Sequence, residues 1–266
     1  MKSDFRIGVI GTGNMGSAII TGISKGISPA LIKAYDTNTD KLESIADETG
    51  IRITDSIEEL ITDSDLLIIS VKPDATLKVA EKLKSYSGII LSVAAGVKLE
   101  TLQKITGEKK LIRAMPNTPA LSGCGMTVIS VTDNVTNEEI TTVMRILEYT
   151  GRVLSMEEKH MNAVTAISGS GPAYVFTFIQ ALADAGVKMG LSRNEALLLA
   201  GQTLFGSAKM FLDKMENPIM LRDRVASPGG TTIQALHSLE RAGFNGIVID
   251  AVESAFNRAK ELEKTS

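Results

Sequence analysis

The chain has 266 residues, 44% of them hydrophobic, and a formal net charge of −3. That is material for one large domain or two modest ones with a real core, without the basic footprint that nucleic-acid binding needs. The absence of tryptophan and an aromatic content of 4% leave few platforms for base stacking, and the single Cys124 excludes an internal disulfide and suits a reducing cytoplasm.

Phe5 to Ile10 reads as a buried strand, followed by a glycine-rich turn and a helix from about Asn14 to Lys25 with Ala18, Ile19, Ile20 and Ile23 on its apolar face. The apolar start is too short for a signal peptide, since Asp4 and Arg6 flank it, and no apolar run reaches the roughly 20 residues that span a bilayer. The pattern then repeats: strand Leu31–Asp36, helix Thr39–Thr49, strand Asp65–Val71, helix Ala75–Ser85, strand Gly88–Ala94. Strands alternating with helices imply a parallel sheet covered on both faces, hence an α/β class. Leu111–Met115, Met126–Val131 and Arg152–Leu154 read as further strands, and Thr136 with Glu139 forms a capping box for a helix reaching about Tyr149. From about Glu157 strand-like runs vanish and helical segments rich in Ala, Gly and Leu take over, which places a domain boundary at 156 between residues 1–156 and an all-α part, 157–266. Ser192 with Glu195 is a second capping box, and Ala200, Gly201, Gly206 and Ala208 would let another helix approach, within the chain or from a second subunit.

Between the first strand and helix stands Gly11-Thr12-Gly13-Asn14-Met15-Gly16, a G-x-G-x-x-G in the strand–turn–helix setting that makes it a dinucleotide-binding fingerprint. Gly11 serves the tight turn, Gly13 the approach of a pyrophosphate and Gly16 the packing of helix on strand. Asp36 ends the second strand, where an acid bonds the ribose 2′-hydroxyl and repels a 2′-phosphate, a preference for NADH over NADPH; Asp-Thr-Asn-Thr is equally good turn chemistry. Val71-Lys72-Pro73 and Ala94-Ala95-Gly96 end the next two strands at the carboxyl edge, where open α/β sheets bind ligands. Lys72 fits either a cofactor contact or a solvated loop lysine.

In the helical half, Ser227-Pro228-Gly229-Gly230-Thr231-Thr232 opens into a helix, and the unpaired backbone N–H groups of such a start form an anion site. Ser168-Gly169-Ser170-Gly171-Pro172-Ala173-Tyr174 interrupts a helical stretch, as a break facing a ligand or neighbouring chain, or as a plain hinge with Ser170 as cap. His160 and His237 lack an obvious carboxylate orienter, and no strong local cation activates Cys124, so structural roles fit all three.

The segment LRDRVASPGGTTIQALHSLE, Leu221 to Glu240, resembles the C-terminal signature of pyrroline-5-carboxylate reductases. The likeness extends to IGTGNMGSAI near the start, SVKP at Ser70–Pro73, AAG at Ala94–Gly96, RAMPNTPAL at Arg113–Leu121 and SGSGPAY at Ser168–Tyr174. It implies a Rossmann-type, mostly parallel sheet domain followed by an all-α dimerisation domain, and NAD(P)H-dependent reduction of 1-pyrroline-5-carboxylate to L-proline. It further implies homodimers or higher assemblies such as decamers. By the same resemblance Ser227, Gly229, Gly230 and Thr231 hold the substrate carboxylate, and the Thr232 hydroxyl meets the ring nitrogen. Asp36 is a departure, because family members that prefer NADPH tend to carry Ser or Thr there. Two other readings stay open: a β-hydroxyacid-type dehydrogenase, which needs a catalytic lysine in the helical half although none follows Thr231-Thr232 before Lys260, and a nicotinamide-binding sensor without catalysis.

Overall fold

Eight strands pair into one sheet in the computed structural model, which describes residues 5–265; Asp4 lies outside them. The chain opens with β1 (Ile7–Ile10), α1 (Asn14–Ile23), β2 (Ile32–Tyr35), α2 (Thr39–Thr49), β3 (Arg52–Ile53) and α3 (Ile57–Asp63). There follow β4 (Leu66–Ile69), α4 (Pro73–Lys82), β5 (Ile89–Ser92), α5 (Leu99–Thr106), β6 (Lys110–Met115), β7 (Gly125–Val131), α6 (Asn137–Leu147) and β8 (Gly151–Ser155). Their spatial order is β3-β2-β1-β4-β5-β6-β7-β8, and every neighbouring pair is parallel except β6 with β7.

The sheet is apolar on both faces because side chains alternate along each strand. On β4, Leu66 and Ile68 join Ile19, Ile20 and Ile23 of α1 on one face, while Leu67 and Ile69 join Val79, Ala80 and Leu83 on the other. The expected strands are all present, each trimmed or extended by a residue or two. β3, α3 and α5 add to that reading: a two-residue edge strand and two helices of seven and eight residues are short windows for a periodic pattern. The Thr136–Glu139 capping box forms as expected, the hydroxyl accepting from the Glu139 N–H and the carboxylate reaching back.

The helical half comprises α7 (Met161–Val164), a π-turn (Thr165–Gly169), α8 (Gly171–Lys188), α9 (Arg193–Lys214), α10 (Pro218–Val225), α11 (Thr231–Arg241) and α12 (Phe244–Thr265). The Ser192–Glu195 capping box opens α9. The helix widens over Thr165–Gly169 where it enters the glycine-rich stretch, and it does not break there. The Ser170 N–H donates to the Thr165 carbonyl at 2.8 Å, an i→i+5 bond, and the backbone stays right-handed helical into α8.

Contacts group the described residues into two compact units: residues 5–170 with 255–265, and residues 171–254. The first unit keeps residues 157–170 because Met161 and Val164 pack against Val128 of β7. It regains the chain's end because Arg113 of β6 pairs with both Glu158 and Glu263. The second unit has almost no core of its own; α8 buries only Ala183, and α9 only Ala196 and Ala200. Phe176, Leu198 and Ile249 remain 64%, 72% and 64% exposed.

Candidate active site

The glycine-rich loop is tied to the sheet before it turns into α1. The Gly11 N–H donates to the Tyr35 carbonyl at 2.8 Å, extending the β1–β2 ladder by one bond. Gly11 sits at φ 100°, and a Cβ there would lie 2.4 Å from the Ser70 carbonyl oxygen. A Cβ on Gly16 would lie 2.0 Å from the Gly11 carbonyl oxygen, so α1 starts as close to the loop as an α-carbon without a side chain permits. Over Gly13 the space is open, with no atom within 4 Å of a Cβ built there. Gly13 caps α1 without a side-chain hydrogen bond, which leaves the first N–H groups of the helix turned outward and unsatisfied. Thr12, Gly13 and Asn14 line a cavity of about 550 Å³ with Ser17, Lys41 and Leu121. An open cradle, outward N–H groups and a helix dipole are what a pyrophosphate requires, so the residues present fit a dinucleotide.

Asp36 follows β2 and closes this loop from the side. Its Oδ2 accepts from the Thr12 N–H at 2.5 Å and the Thr12 hydroxyl at 2.9 Å, while Oδ1 accepts from the Asn38 N–H at 2.9 Å. Burial works to raise the Asp36 carboxyl, but the Asn38 and Thr12 donors and the charge of Lys41 outweigh it and hold the group below the ordinary carboxylate range. Asp36 is therefore ionised and serves the turn at the same time.

β1, β4 and β5 are neighbours and parallel, so their carboxyl ends lie side by side. Gly11–Gly16, Val71–Pro73 and Ala94–Gly96 therefore share one edge of the sheet. Pro73 is the first residue of α4 and Lys72 its N-cap, with Lys72 exposed. Val71 packs beside Gly11, close enough that a Cβ there would lie 2.7 Å from its Cγ1. Ala94 is buried, its N–H donating to the Ser92 hydroxyl at 3.3 Å, and Gly96 turns the chain at φ 81°. β2 and β4 leave β1 on opposite sides, and the chain's two directions of winding separate at that point, where open α/β sheets leave a crevice.

The second unit carries the other anion-ready turn. The Gly230 N–H donates to the Ser227 carbonyl at 3.1 Å across Pro228 and Gly229, and Gly229 at φ 68° supplies the left-handed corner of a type II turn. Gly230 caps α11 with no side-chain hydrogen bond, leaving the N–H groups of Thr231 and Thr232 without helical acceptors. The Ser227 hydroxyl folds back over the turn; a Cβ on Gly230 would meet its oxygen at 2.3 Å. Hydroxyl, turn and free N–H groups thus converge at the start of an 11-residue helix.

Lys41, Ser44 and Leu121 at the dinucleotide cavity escaped the motif reading, because no fixed spacing from the glycines marks them. His160 lies in a short 3₁₀ turn and His237 on the exposed side of α11. Cys124 is exposed and free. Among the described residues no group of three or more His, Cys, Asp or Glu could hold a metal ion, and no helix is long and apolar enough to cross a membrane.

Comparison with known proteins agrees with this geometry. A family model described as pyrroline-5-carboxylate reductase dimerisation matches residues 158–262, and one described as NADP oxidoreductase coenzyme F420-dependent matches residues 6–96. The chain is 40% identical over 266 residues to the pyrroline-5-carboxylate reductase of Escherichia coli, covering 98% of this chain and 99% of that one. A pyrroline-5-carboxylate reductase structure from Coxiella burnetii superposes with a TM-score of 0.92 at 34% identity, over 97% of this chain and 98% of that one. The pyrroline carboxylate reductase of Plasmodium falciparum, solved with NADP bound, gives 0.87 at 34% identity over 98% and 99%. With likeness of this extent across both halves, the chain belongs to the pyrroline-5-carboxylate reductase family.

Proposed function

We propose that this protein reduces 1-pyrroline-5-carboxylate to L-proline, with the Gly11–Gly16 loop holding a nicotinamide dinucleotide and the Ser227–Thr232 turn holding the substrate. The observation that carries the substrate side is the start of α11, capped by Gly230 without a side chain and overlaid by the Ser227 hydroxyl. A carboxylate there would accept from the Ser227 hydroxyl and the N–H groups near Gly230 and Thr231, with the helix dipole adding to the attraction. Gly229 sets the corner that turns these donors to one side.

Bound reduced nicotinamide supplies the hydride, and the protein's work is orientation, exclusion of water and placement of a proton at the imine nitrogen. A cyclic imine accepts hydride best when its nitrogen is protonated or strongly hydrogen-bonded. Thr232, one residue into α11, carries a hydroxyl for that nitrogen, while its own N–H belongs to the anion site. No histidine is required. On the cofactor side, Gly13, Asn14 and Met15 present backbone to the pyrophosphate, Thr12 is fixed by Asp36, and Val71–Pro73 and Ala94–Gly96 flank the nicotinamide half. The ionised Asp36 favours NADH, so NADH should serve at least as well as NADPH.

The active form is a homodimer or an assembly of dimers such as a decamer, which covers the apolar helices of the second unit, and it works in the cytoplasm, where Cys124 stays reduced. The test is to follow loss of NADH and NADPH absorbance in parallel with pyrroline-5-carboxylate as substrate. Substrate-dependent oxidation with proline as product is expected. Binding of the dinucleotides without any oxidation would reject the reaction.

A further inference from the structure

We infer that Lys41 is a specificity-determining residue that admits a 2′-phosphate beside Asp36, so that this chain accepts both NADH and NADPH. The inference rests on the dinucleotide reading of the Gly11–Gly16 loop and concerns the adenosine end of that same site.

Asp36 by itself argues against a 2′-phosphate. Its carboxylate has about four lone-pair positions, and three are taken by the Thr12 N–H, the Thr12 hydroxyl and the Asn38 N–H. The position left on Oδ1 suits one ribose hydroxyl, and the negative charge repels phosphate. The two Thr12 bonds tie the glycine-rich loop to the β2–α2 turn and the Asn38 bond closes that turn, which makes the acid part of the local architecture. A chain that keeps this acid and also takes NADPH needs a cation close by that is not already engaged.

Lys41 meets that requirement. It lies in the first turn of α2, where its N–H donates to the Asn38 side chain at 3.0 Å, the same Asn38 whose N–H binds Asp36. Its side chain is exposed and lines the cavity shared with Thr12, Gly13 and Asn14. The other charged residues lining that cavity are Asp40 and Glu48, so Lys41 is the one cation among its lining residues. Lys33 and Lys82 are each held by a carboxylate within 4 Å; Lys41 Nζ has none among the described residues. Its charge nevertheless reaches the Asp36 carboxyl. A phosphate placed beside Asp36 would meet an exposed ammonium that no carboxylate holds, and loss of Lys41 would leave only Asp40 and Glu48 as charged residues on this wall.

The test is calorimetric titration of the full-length protein with 2′,5′-ADP and with 5′-AMP, repeated for Lys41→Ala and Lys41→Arg, with thermal melts to confirm folding. Lys41→Ala should weaken 2′,5′-ADP about fivefold, the scale of an exposed ion pair, and change 5′-AMP by less than about twofold. Lys41→Arg should keep the binding of 2′,5′-ADP, and raised salt should shrink the difference between wild type and Lys41→Ala. Equal weakening of both probes, or no change in either, overturns the assignment. A wild-type protein that binds neither probe overturns the dinucleotide reading together with it. Binding of both probes by a protein that oxidises neither dinucleotide rejects only the proposed reaction, and the ratio of the two affinities still decides the role of Lys41.

Discussion

Arg113 on β6 donates to Glu263 near the end of α12 at 2.9 Å, with side-chain exposures of 4% and 10%. The same guanidinium reaches Glu158 at 2.9 Å, and Glu158 also accepts from the N–H of Leu99, the first residue of α5. Glu263 in turn accepts from Asn162 at 2.9 Å. One buried cation thus gathers the start of α5, the 3₁₀ turn before α7 and the last turn of α12 on the sheet unit. Removing it leaves Glu263, 10% exposed, with Lys98 at 3.5 Å as its remaining cation, and takes the guanidinium from the partly buried Glu158. Arg113→Ala should cost about 3 kcal/mol or more of unfolding free energy, read from denaturant melts, and a cost under about 1 kcal/mol would show the cluster to be solvated.

The same cluster gives stability a pH dependence. Burial works to raise the Glu263 carboxyl, but Asn162, Arg113 and Lys98 outweigh it and hold it below the ordinary range. Its contribution is therefore fully present above the unfolded pKa, about 4.3, and is lost as pH falls through the lower folded value. Glu263→Gln should flatten the acid limb of the melting-temperature profile relative to wild type. Parallel profiles below pH 5 would assign the acid limb to other carboxylates.

Thr232→Ala keeps every backbone donor of the Ser227–Thr232 turn and removes one hydroxyl. A hydrogen bond to a group gaining charge is worth roughly 1.5–3 kcal/mol, so kcat should fall about 10- to 150-fold with a smaller change in cofactor affinity. Thr232→Ser should retain most activity. A folded, assembled Ala variant turning over at the wild-type rate would reduce Thr232 to a helix-start residue.

Asp36→Ser removes the charge facing the ribose while keeping a hydroxyl for the turn. The ratio of kcat/KM for NADPH over NADH should rise roughly tenfold, on the order of 1.4 kcal/mol. A wild-type protein that already prefers NADPH strongly would contradict the role given to Asp36.

The second unit should not exist alone. Light scattering is expected to show no stable 28.3 kDa species, because helices that bury only a few alanines have no other way to cover Phe176, Leu198 and Ile249. Leu198→Asp should dissociate or aggregate the protein. An active monomer would refute the assembly.

Local chemistry made much of this protein legible in the sequence. Parallel strands buried on both faces leave short, largely apolar runs, and capping boxes need only two residues three positions apart, so β1, β4, β5 and the starts of α6 and α9 can be read directly. The glycines of the first loop and of the Ser227–Thr232 turn are equally local, because steric exclusion of a Cβ acts over a few residues. Tertiary structure decided the rest. That a π-turn over Thr165–Gly169 leads into the SGSGPAY stretch depends on a hydrogen bond spanning five residues, with the Ser168 carbonyl held by Asn117 from across the fold. That the chain's end rejoins the sheet unit depends on one buried arginine and carboxylates 45 and 150 positions away, an electrostatic match that leaves no periodic trace. Lys41 became part of the cofactor question for the same reason: proximity to a cavity is a property of the fold, and no spacing along the chain encodes it.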